Sequence, residues 1–343
     1  MMINAGNKGR GRIRQPLALL SALLLVSGLL AACGTNADAP EAQASKQETA
    51  VQNNAADAEK SKAEQASIYP LTVKDELGHE VTIPAKPTKV FAPVMEDSLL
   101  TLGIKPVRQW SNGVSPQEYL QDQLGSVPQI SFAGGQPSFE AILESQPDLI
   151  ILHNAYAAEN GVYEQYAKIA PTYVFKSAST DLNSSIRELG KLLGEEDRAA
   201  QAIKDYADKV TNAKAKLEGI TKGKKAAIIR FNAKGMFFMN SDYFSGYVLA
   251  HELGFEPSSL VKGGAFEVSL EILPELDADY IFLVNDGNQG DRFVKELKES
   301  EVWKNVPAVK NGRVFETSND YWLSGGFIAQ SKVMDDVVRF LQP

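Results

Sequence analysis

The chain repeats one 17-residue pattern, SFEAILESQPDLIILHN at positions 138–154 and SLEILPELDADYIFLVN at positions 269–285. The two copies lie 131 residues apart, align without a gap and are identical at seven positions. Each copy begins with a serine suited to cap a helix, continues through an aspartate, and ends in an apolar run typical of a buried strand. A repeated helix and strand predict two similar lobes, each built on a covered parallel sheet.

The segments around the repeat show the same alternation of strands and helices. Two alternating runs within Leu71–Ile83 flank Gly78, which predicts a β-hairpin. Further strands are predicted at Val90–Val94, near Val107, at Leu149–Leu152 and at Tyr173–Phe175, with helices at 97–102 and 163–169. The fold class is therefore predicted as α/β, with two lobes whose central sheets are mainly parallel.

A long amphipathic helix is predicted over 195–219, between the lobes. Its apolar residues recur at steps of three and four, at Ala199, Ile203, Tyr206, Val210, Ala213 and Leu217. Such a helix would be about 36 Å long at 1.5 Å per residue, enough to join lobes at 67–194 and 220–343. Because a single helix is a stiffer link than flexible strands, we expect little relative motion of the lobes.

The N-terminus predicts a secretory signal peptide over 1–32. Four basic residues and no acid precede an apolar run from Pro16 to Ala32, which is short for a permanent membrane span. Leu30–Cys33 resembles the bacterial lipobox, in which the cysteine is acylated and the chain is cut before it. Cys33 is the only cysteine of the chain, so an intrachain disulfide and a thiolate zinc site are excluded.

Residues 33–66 are predicted to be a disordered tether behind the lipidated Cys33. From Gly34 to Ala66 the chain has no Leu, Ile, Phe, Tyr or Trp, so it cannot bury enough apolar surface to offset its ordering entropy. A tether behind a lipid anchor predicts a protein on the outer face of the cell membrane. Gly34 after the lipidated cysteine and the length of the tether favour a Gram-positive type envelope.

Charge and composition exclude several classes of protein. The 343 residues carry 35 basic and 43 acidic side chains, and removal of the signal peptide leaves a net charge of −12. No nucleic acid partner is expected, because such binding needs a basic face. Three histidines disfavour a His-rich zinc or manganese site. The serine–lysine spacing of Ser259–Lys262 lacks the companion motifs of a penicillin-binding enzyme, so a surface hydrolase is only a remote alternative.

The chain resembles the ferric siderophore and cobalamin substrate-binding proteins of ABC importers. The resemblance rests on VKDELGHEVTIPAKPTKVFAP at 73–93, both copies of the repeat, the long helix and WLSGGFIA at 322–329. It implies two Rossmann-like lobes on one backbone helix, a ligand held between them, no enzymatic activity and no intrinsic cofactor. It also implies a monomer whose partners are a permease dimer and its cytoplasmic ATPase. The matched Glu140 and Glu271 would dock on arginine pockets of that permease.

Ligand contacts are predicted beyond the carboxyl ends of the strands. The residues in such positions are Met95, Arg108, Trp110, Tyr156, Arg230, Tyr243 and Trp322. Arginine forks and aromatic rings suit a ferric chelate, which has oxygen acceptors around its iron and an organic periphery. Because few basic residues lie at these positions, a ferric hydroxamate is favoured over catecholates and citrate. Haem or cobalamin is the alternative ligand.

Overall fold

The computed structural model describes residues 68–261 and 266–342. The predicted signal peptide, the predicted lipidation site Cys33 and the predicted tether lie outside these residues. None of the helices within the described ranges is long and apolar enough to cross a membrane.

The N-terminal lobe comprises the elements before the long helix. Its strands are β1 Leu71–Lys74, β2 Glu80–Ile83, β3 Val90–Phe91, β4 Gln109–Ser111, β5 Gln129–Ser131, β6 Leu149–Leu152 and β7 Thr172–Val174. Its helices are α1 Glu96–Thr101, α2 Gln121–Leu124, α3 Phe139–Glu144, α4 Val162–Ala167 and α5 Leu182–Leu193, with 3₁₀ turns at Glu118–Leu120 and Ala155–Ala158. The predicted hairpin is confirmed as the antiparallel pair β1–β2, which turns at Gly78 with φ of 97°.

Parallel strands form the centre of this lobe. Strands β3, β6 and β7 make a three-stranded parallel sheet in that order, and β4 and β5 make a separate parallel pair. The strand predicted near Val107 begins two residues later, and β5 was not predicted. Its short run around Ile130 is flanked by polar residues, so no extended apolar pattern marks it.

The long helix α6 runs over Glu196–Thr221, 26 residues. Four residues of its predicted stripe are buried, and the other two, Ile203 and Val210, are partly buried against the same core. Their spacing therefore packs one face of α6 under both lobes while its charged face meets solvent. This core joins apolar residues of both lobes to the long helix and the C-terminal helix.

The C-terminal lobe follows α6. Its strands are β8 Lys225–Phe231, β9 Met236–Phe238, β10 Glu256–Pro257, β11 Phe266–Val268, β12 Tyr280–Asn285 and β13 Val314–Glu316. Its helices are α7 Phe244–Tyr247, α8 Asp291–Glu299, α9 Glu301–Asn305, α10 Pro307–Lys310 and α11 Phe327–Leu341, with a π-helix at Val248–Glu252 and 3₁₀ turns at Leu270–Glu275, Asp286–Asn288 and Tyr321–Leu323. Strands β8, β10, β12 and β13 pair in parallel, whereas β9 and β11 add an antiparallel edge. The predicted α/β fold of two lobes joined by one helix is confirmed.

The two copies of the repeat occupy equivalent places in the lobes. Asp148 accepts a hydrogen bond from Lys89 N–H (2.9 Å) ahead of β3, and Asp279 accepts one from Lys225 N–H (2.9 Å) at the start of β8. Each aspartate thus ties the strand that follows it to the neighbouring parallel strand. The copies differ in the helix: Phe139–Glu144 is α-helical, whereas Leu270–Glu275 contains Pro274 and is a 3₁₀ turn.

Candidate functional site

The carboxyl ends of both parallel sheets lead to the junction of the lobes. Asp320 lies four residues beyond β13 and accepts a hydrogen bond from Tyr119 N–H of the N-terminal lobe (2.6 Å). The rings of Tyr119 and Tyr321 meet edge to face at 6.2 Å. Ligands of open α/β sheets bind beyond the carboxyl strand ends, so this junction is the candidate binding cleft.

A buried carboxylate ties the lobes together beside this cleft. Asp97 on α1 accepts hydrogen bonds from Ile328 N–H (3.1 Å), Ala329 N–H (2.8 Å) and the Tyr119 hydroxyl (3.1 Å). Asp97 therefore caps helix α11 across 231 residues of sequence, next to Gly326, where a side chain would collide with it. Burial raises the pKa of Asp97 to about 6.

Trp110 is held in the wall of the N-terminal lobe by a second buried acid. Its backbone N–H donates to Glu96 Oε1 (2.6 Å), and its side chain is partly exposed. Burial raises the pKa of Glu96 to about 7. Within the described residues, Glu96 Oε2 is buried without a hydrogen-bond partner. The hydrogen bond from Trp110 N–H to Glu96 fixes the backbone that carries the partly exposed indole.

The strand ends of the repeat carry matching polar groups. Asn154 follows β6, and its side chain accepts from Ala157 N–H (2.8 Å); Asn285 ends β12, and its side chain accepts from Gly290 N–H (2.9 Å). These bonds shape the loop beyond each strand. His153 directly follows β6, and burial lowers the pKa of its imidazole, which favours the neutral ring.

Arg230 is a basic residue near the carboxyl end of a strand in the C-terminal lobe. It lies next to last in β8, opposite Val284 of β12, and its guanidinium pairs with the carboxylate of Asp286, the residue directly after β12. The two side chains are 35% and 32% exposed, so the pair is open to a ligand. Sequence reasoning missed Asp286, although its position directly after the repeated Asn285 was a usable signal.

Tyr156 and Tyr243 lie in loops beside the strand ends. Tyr156 is 76% exposed on the 3₁₀ turn after β6. Tyr243 is partly exposed and packs edge to face on Phe244 at 4.9 Å. It directly precedes α7, just as the buried Met95 directly precedes α1 in the N-terminal lobe. The segments around the starts of α1 and α7 also share a non-glycine residue in the left-handed region: Val94 (φ 70°) beside Met95 and Phe244 (φ 52°) beside Tyr243.

Two predicted ligand contacts are not supported. Trp322 is fully buried, and its indole N–H donates to Asp336 (2.9 Å) inside the core, so it has no surface to offer a ligand. Arg108 precedes β4, and its neighbour Val107 bonds to Val90 at the start of β3 (2.8 Å). Arg108 therefore lies at the amino end of β4 and not beyond the carboxyl end of a strand.

Glu140 and Glu271 lie in equivalent, exposed positions. Each is the second residue of its short helix, and Ser138 donates its hydroxyl to Glu140 Oε2 (2.7 Å). The hydroxyls of Ser138 and Ser269 lower the pKa of Glu140 and Glu271, respectively. Both carboxylates therefore stay ionised and free to meet a cationic partner.

No metal centre is formed by the side chains described here: no three His, Cys, Asp or Glu residues at 68–261 or 266–342 converge as metal ligands.

This architecture, with two α/β lobes on one backbone helix and polar groups at facing strand ends, defines a two-lobed ligand-binding protein. The family model of periplasmic binding proteins matches residues 97–321, and the chain belongs to that family. The resemblance found in the sequence is confirmed.

Relatives of known name share most of the chain. The iron(3+)-hydroxamate-binding protein FhuD of Bacillus subtilis is 31% identical over 314 residues, which cover 87% of this chain and 89% of FhuD. The probable siderophore-binding lipoprotein YfiY of the same organism is 29% identical, over 82% of this chain and 90% of YfiY. The crystal structure of Staphylococcus aureus SirA with staphyloferrin B matches with a TM-score of 0.67 and 28% identity, over 79% of this chain and 98% of SirA.

Proposed function

We propose that this protein is the lipid-anchored receptor of an ABC importer and that it captures a ferric siderophore, with hydroxamates favoured. The observation that carries the proposal is a fold shared with FhuD and SirA in which Arg230 lies near the carboxyl end of β8 and Trp110 is a partly exposed residue of β4. Arginine donors suit the oxygens around the iron, and an indole suits the organic periphery of a chelate. Iron is here the cargo, held by its chelator.

The ligand contacts that we propose are Trp110, Tyr156, Arg230 and Tyr243. All four are at least partly exposed: Arg230 is next to last in β8, Trp110 is central in β4, Tyr156 lies on the 3₁₀ turn after β6, and Tyr243 precedes α7. We leave out Trp322, which is fully buried, and Arg108, which directly precedes β4. The cleft is assigned a binding role without catalysis, in keeping with a family of binding proteins.

Delivery to a permease is assigned to the exposed Glu140 and Glu271. Because the two glutamates occupy equivalent positions in the two lobes, they would align this protein on a partner that has two related halves. That partner would be a permease dimer driven by a cytoplasmic ATPase, with this protein acting as a monomer. We also propose lobes at 67–194 and 220–343 about a connecting helix at 195–219.

Membrane attachment is assigned to Cys33. A signal peptide over 1–32 and a tether over 33–66 would place the body on the extracellular face of the cell membrane. Two acyl chains anchor stably, whereas one binds only marginally. YfiY is itself named a lipoprotein, which supports the same anchor here.

Fluorescence titration of the protein, purified in detergent, tests the ligand assignment. Of its three tryptophans, Trp303 and Trp322 are buried, so Trp110 should report a chelate in the cleft. We expect a ferric trihydroxamate to quench the emission and the Trp110→Phe variant to lose most of that quench. A panel of ferric catecholate, ferric citrate, haem and cobalamin runs in parallel. Binding to none of these ligands would refute the proposal, and a strong visible band with haem alone would favour the haem alternative.

A further inference from the structure

The Arg230–Asp286 ion pair lies where it would interact with the charge of a bound ligand. Strands β8 and β12 run parallel with Arg230 opposite Val284, so Arg230 and Asp286 leave the sheet at the same carboxyl edge. Their side chains are in contact, and about a third of each is exposed. A pair at this depth is reached by solvent and by a bound ligand, yet its charges are less screened than on an open surface.

Asp286 occupies hydrogen-bond donors of Arg230 that an anionic ligand would otherwise bind. A free guanidinium presents a fork of donors that grips carboxylates and catecholate oxygens. Here one end of the fork is taken by Asp286, and Arg230 Nε is buried without a partner among the described residues. The carboxylate also adds a negative charge, so the pair is neutral as a whole.

Neighbouring strand ends add little positive charge. Asn285 and Asn154 are uncharged, and His153 favours its neutral form. Lys176, two residues beyond β7, is exposed, and the carboxylate of Glu76 accepts from its backbone N–H (2.6 Å). Lys234, three residues beyond β8, is likewise exposed, so single lysines on separate loops, but no second arginine, accompany Arg230 in the loops directly beyond β6, β7, β8 and β12.

We propose that Asp286 is the specificity-determining residue of the cleft: by neutralising Arg230 it selects uncharged or cationic ferric chelates and rejects polyanionic ones. The inference rests on the proposed function and names the class of ligand more narrowly. Three singly charged hydroxamates cancel the charge of ferric iron, whereas three doubly charged catecholates leave a trianion. A trianion beside Asp286 would meet like charge with only one paired arginine to offset it.

Binding titrations of wild type and Asp286→Asn test this, using an uncharged ferric trihydroxamate and an anionic ferric tricatecholate. The substitution keeps the size of the side chain and removes its charge. We expect the affinity for the tricatecholate to rise roughly tenfold or more, while that for the trihydroxamate changes by less than about threefold. Because such a partly exposed pair adds little to stability, the variant should fold, which thermal unfolding would verify.

Two further variants make the test specific. Arg230→Gln combined with Asp286→Asn removes both charges and should abolish the gain in tricatecholate affinity, because that gain comes from the arginine that Asp286→Asn releases. Asp335→Asn makes the same charge change on the outer face of α11, where Asp335 pairs with Lys209, and should leave both affinities unchanged.

The outcomes separate the two proposals. Unchanged tricatecholate affinity in Asp286→Asn, or an equal rise in Asp335→Asn, would overturn the role of Asp286 while leaving siderophore binding intact. If wild type binds neither chelate, the proposed function itself fails.

Discussion

Replacing Asp97 with alanine should destabilise the protein more than any exposed acid would. The change removes the cap of α11 and leaves two backbone N–H groups without their acceptor, one of them on the fully buried Ala329. It also removes the partner of the Tyr119 hydroxyl. A lost cap costs about 1 kcal/mol and an orphaned buried donor about 1–3 kcal/mol, partly offset because an ionised carboxylate no longer has to be buried. We expect a net loss of about 2–3 kcal/mol in the free energy of unfolding at pH 7.

Urea unfolding followed by tryptophan fluorescence measures this loss, since Trp322 lies in the core that unfolding exposes. The control is Asp335→Ala, on the same helix that Asp97 caps. Asp335 is 67% exposed and pairs only with Lys209, so its removal should cost no more than about 1 kcal/mol. Equal losses in the two variants would refute the view that Asp97 ties α1 to α11.

Two further predictions concern the buried acids and the docking face. Since burial raises the pKa of Glu96 from 4.5 to about 7, the folded protein holds this proton more tightly than the unfolded chain does. Its contribution to stability is full below pH 4.5 and is lost as the pH rises to about 7. In urea unfolding between pH 5 and 7, Glu96→Gln should therefore reduce the fall in the free energy of unfolding with pH. A fall as steep as that of wild type would contradict this prediction. Alanine at both Glu140 and Glu271 should abolish most iron uptake by cells while leaving chelate affinity intact. The control is alanine at both Glu144 and Glu275, which are also repeated and exposed, and it should preserve uptake. Wild-type uptake by the variant that lacks Glu140 and Glu271 would exclude docking through these two acids.

The parts of the fold that could be predicted from sequence are those set by local pattern. The repeat predicted equivalent helix–strand units, and the stripe on α6 predicted its buried face, because hydrophobic period reports which face of an element is covered. The strand β5 escaped prediction because three residues with one buried position carry no period. The second copy of the repeat helix is a 3₁₀ turn because Pro274 has no N–H to donate.

The candidate site was only partly predictable. Arg230 was identified because a charged residue stands out at the end of an apolar strand. Trp322 was misassigned because an aromatic residue in a loop motif looks the same in sequence whether its ring faces a ligand or Asp336 in the core.

By itself, the sequence determined that there are two related lobes, one long connecting helix and a lone cysteine at the end of an apolar run. These features follow from composition and from periods of two to four residues, which act over short distances along the chain. Only the tertiary structure decided that Asp97 caps a helix 231 residues away and that Asp286 neutralises Arg230. A carboxylate has no partner until folding brings one within hydrogen-bond distance, so its role depends on long-range packing and not on its neighbours in sequence.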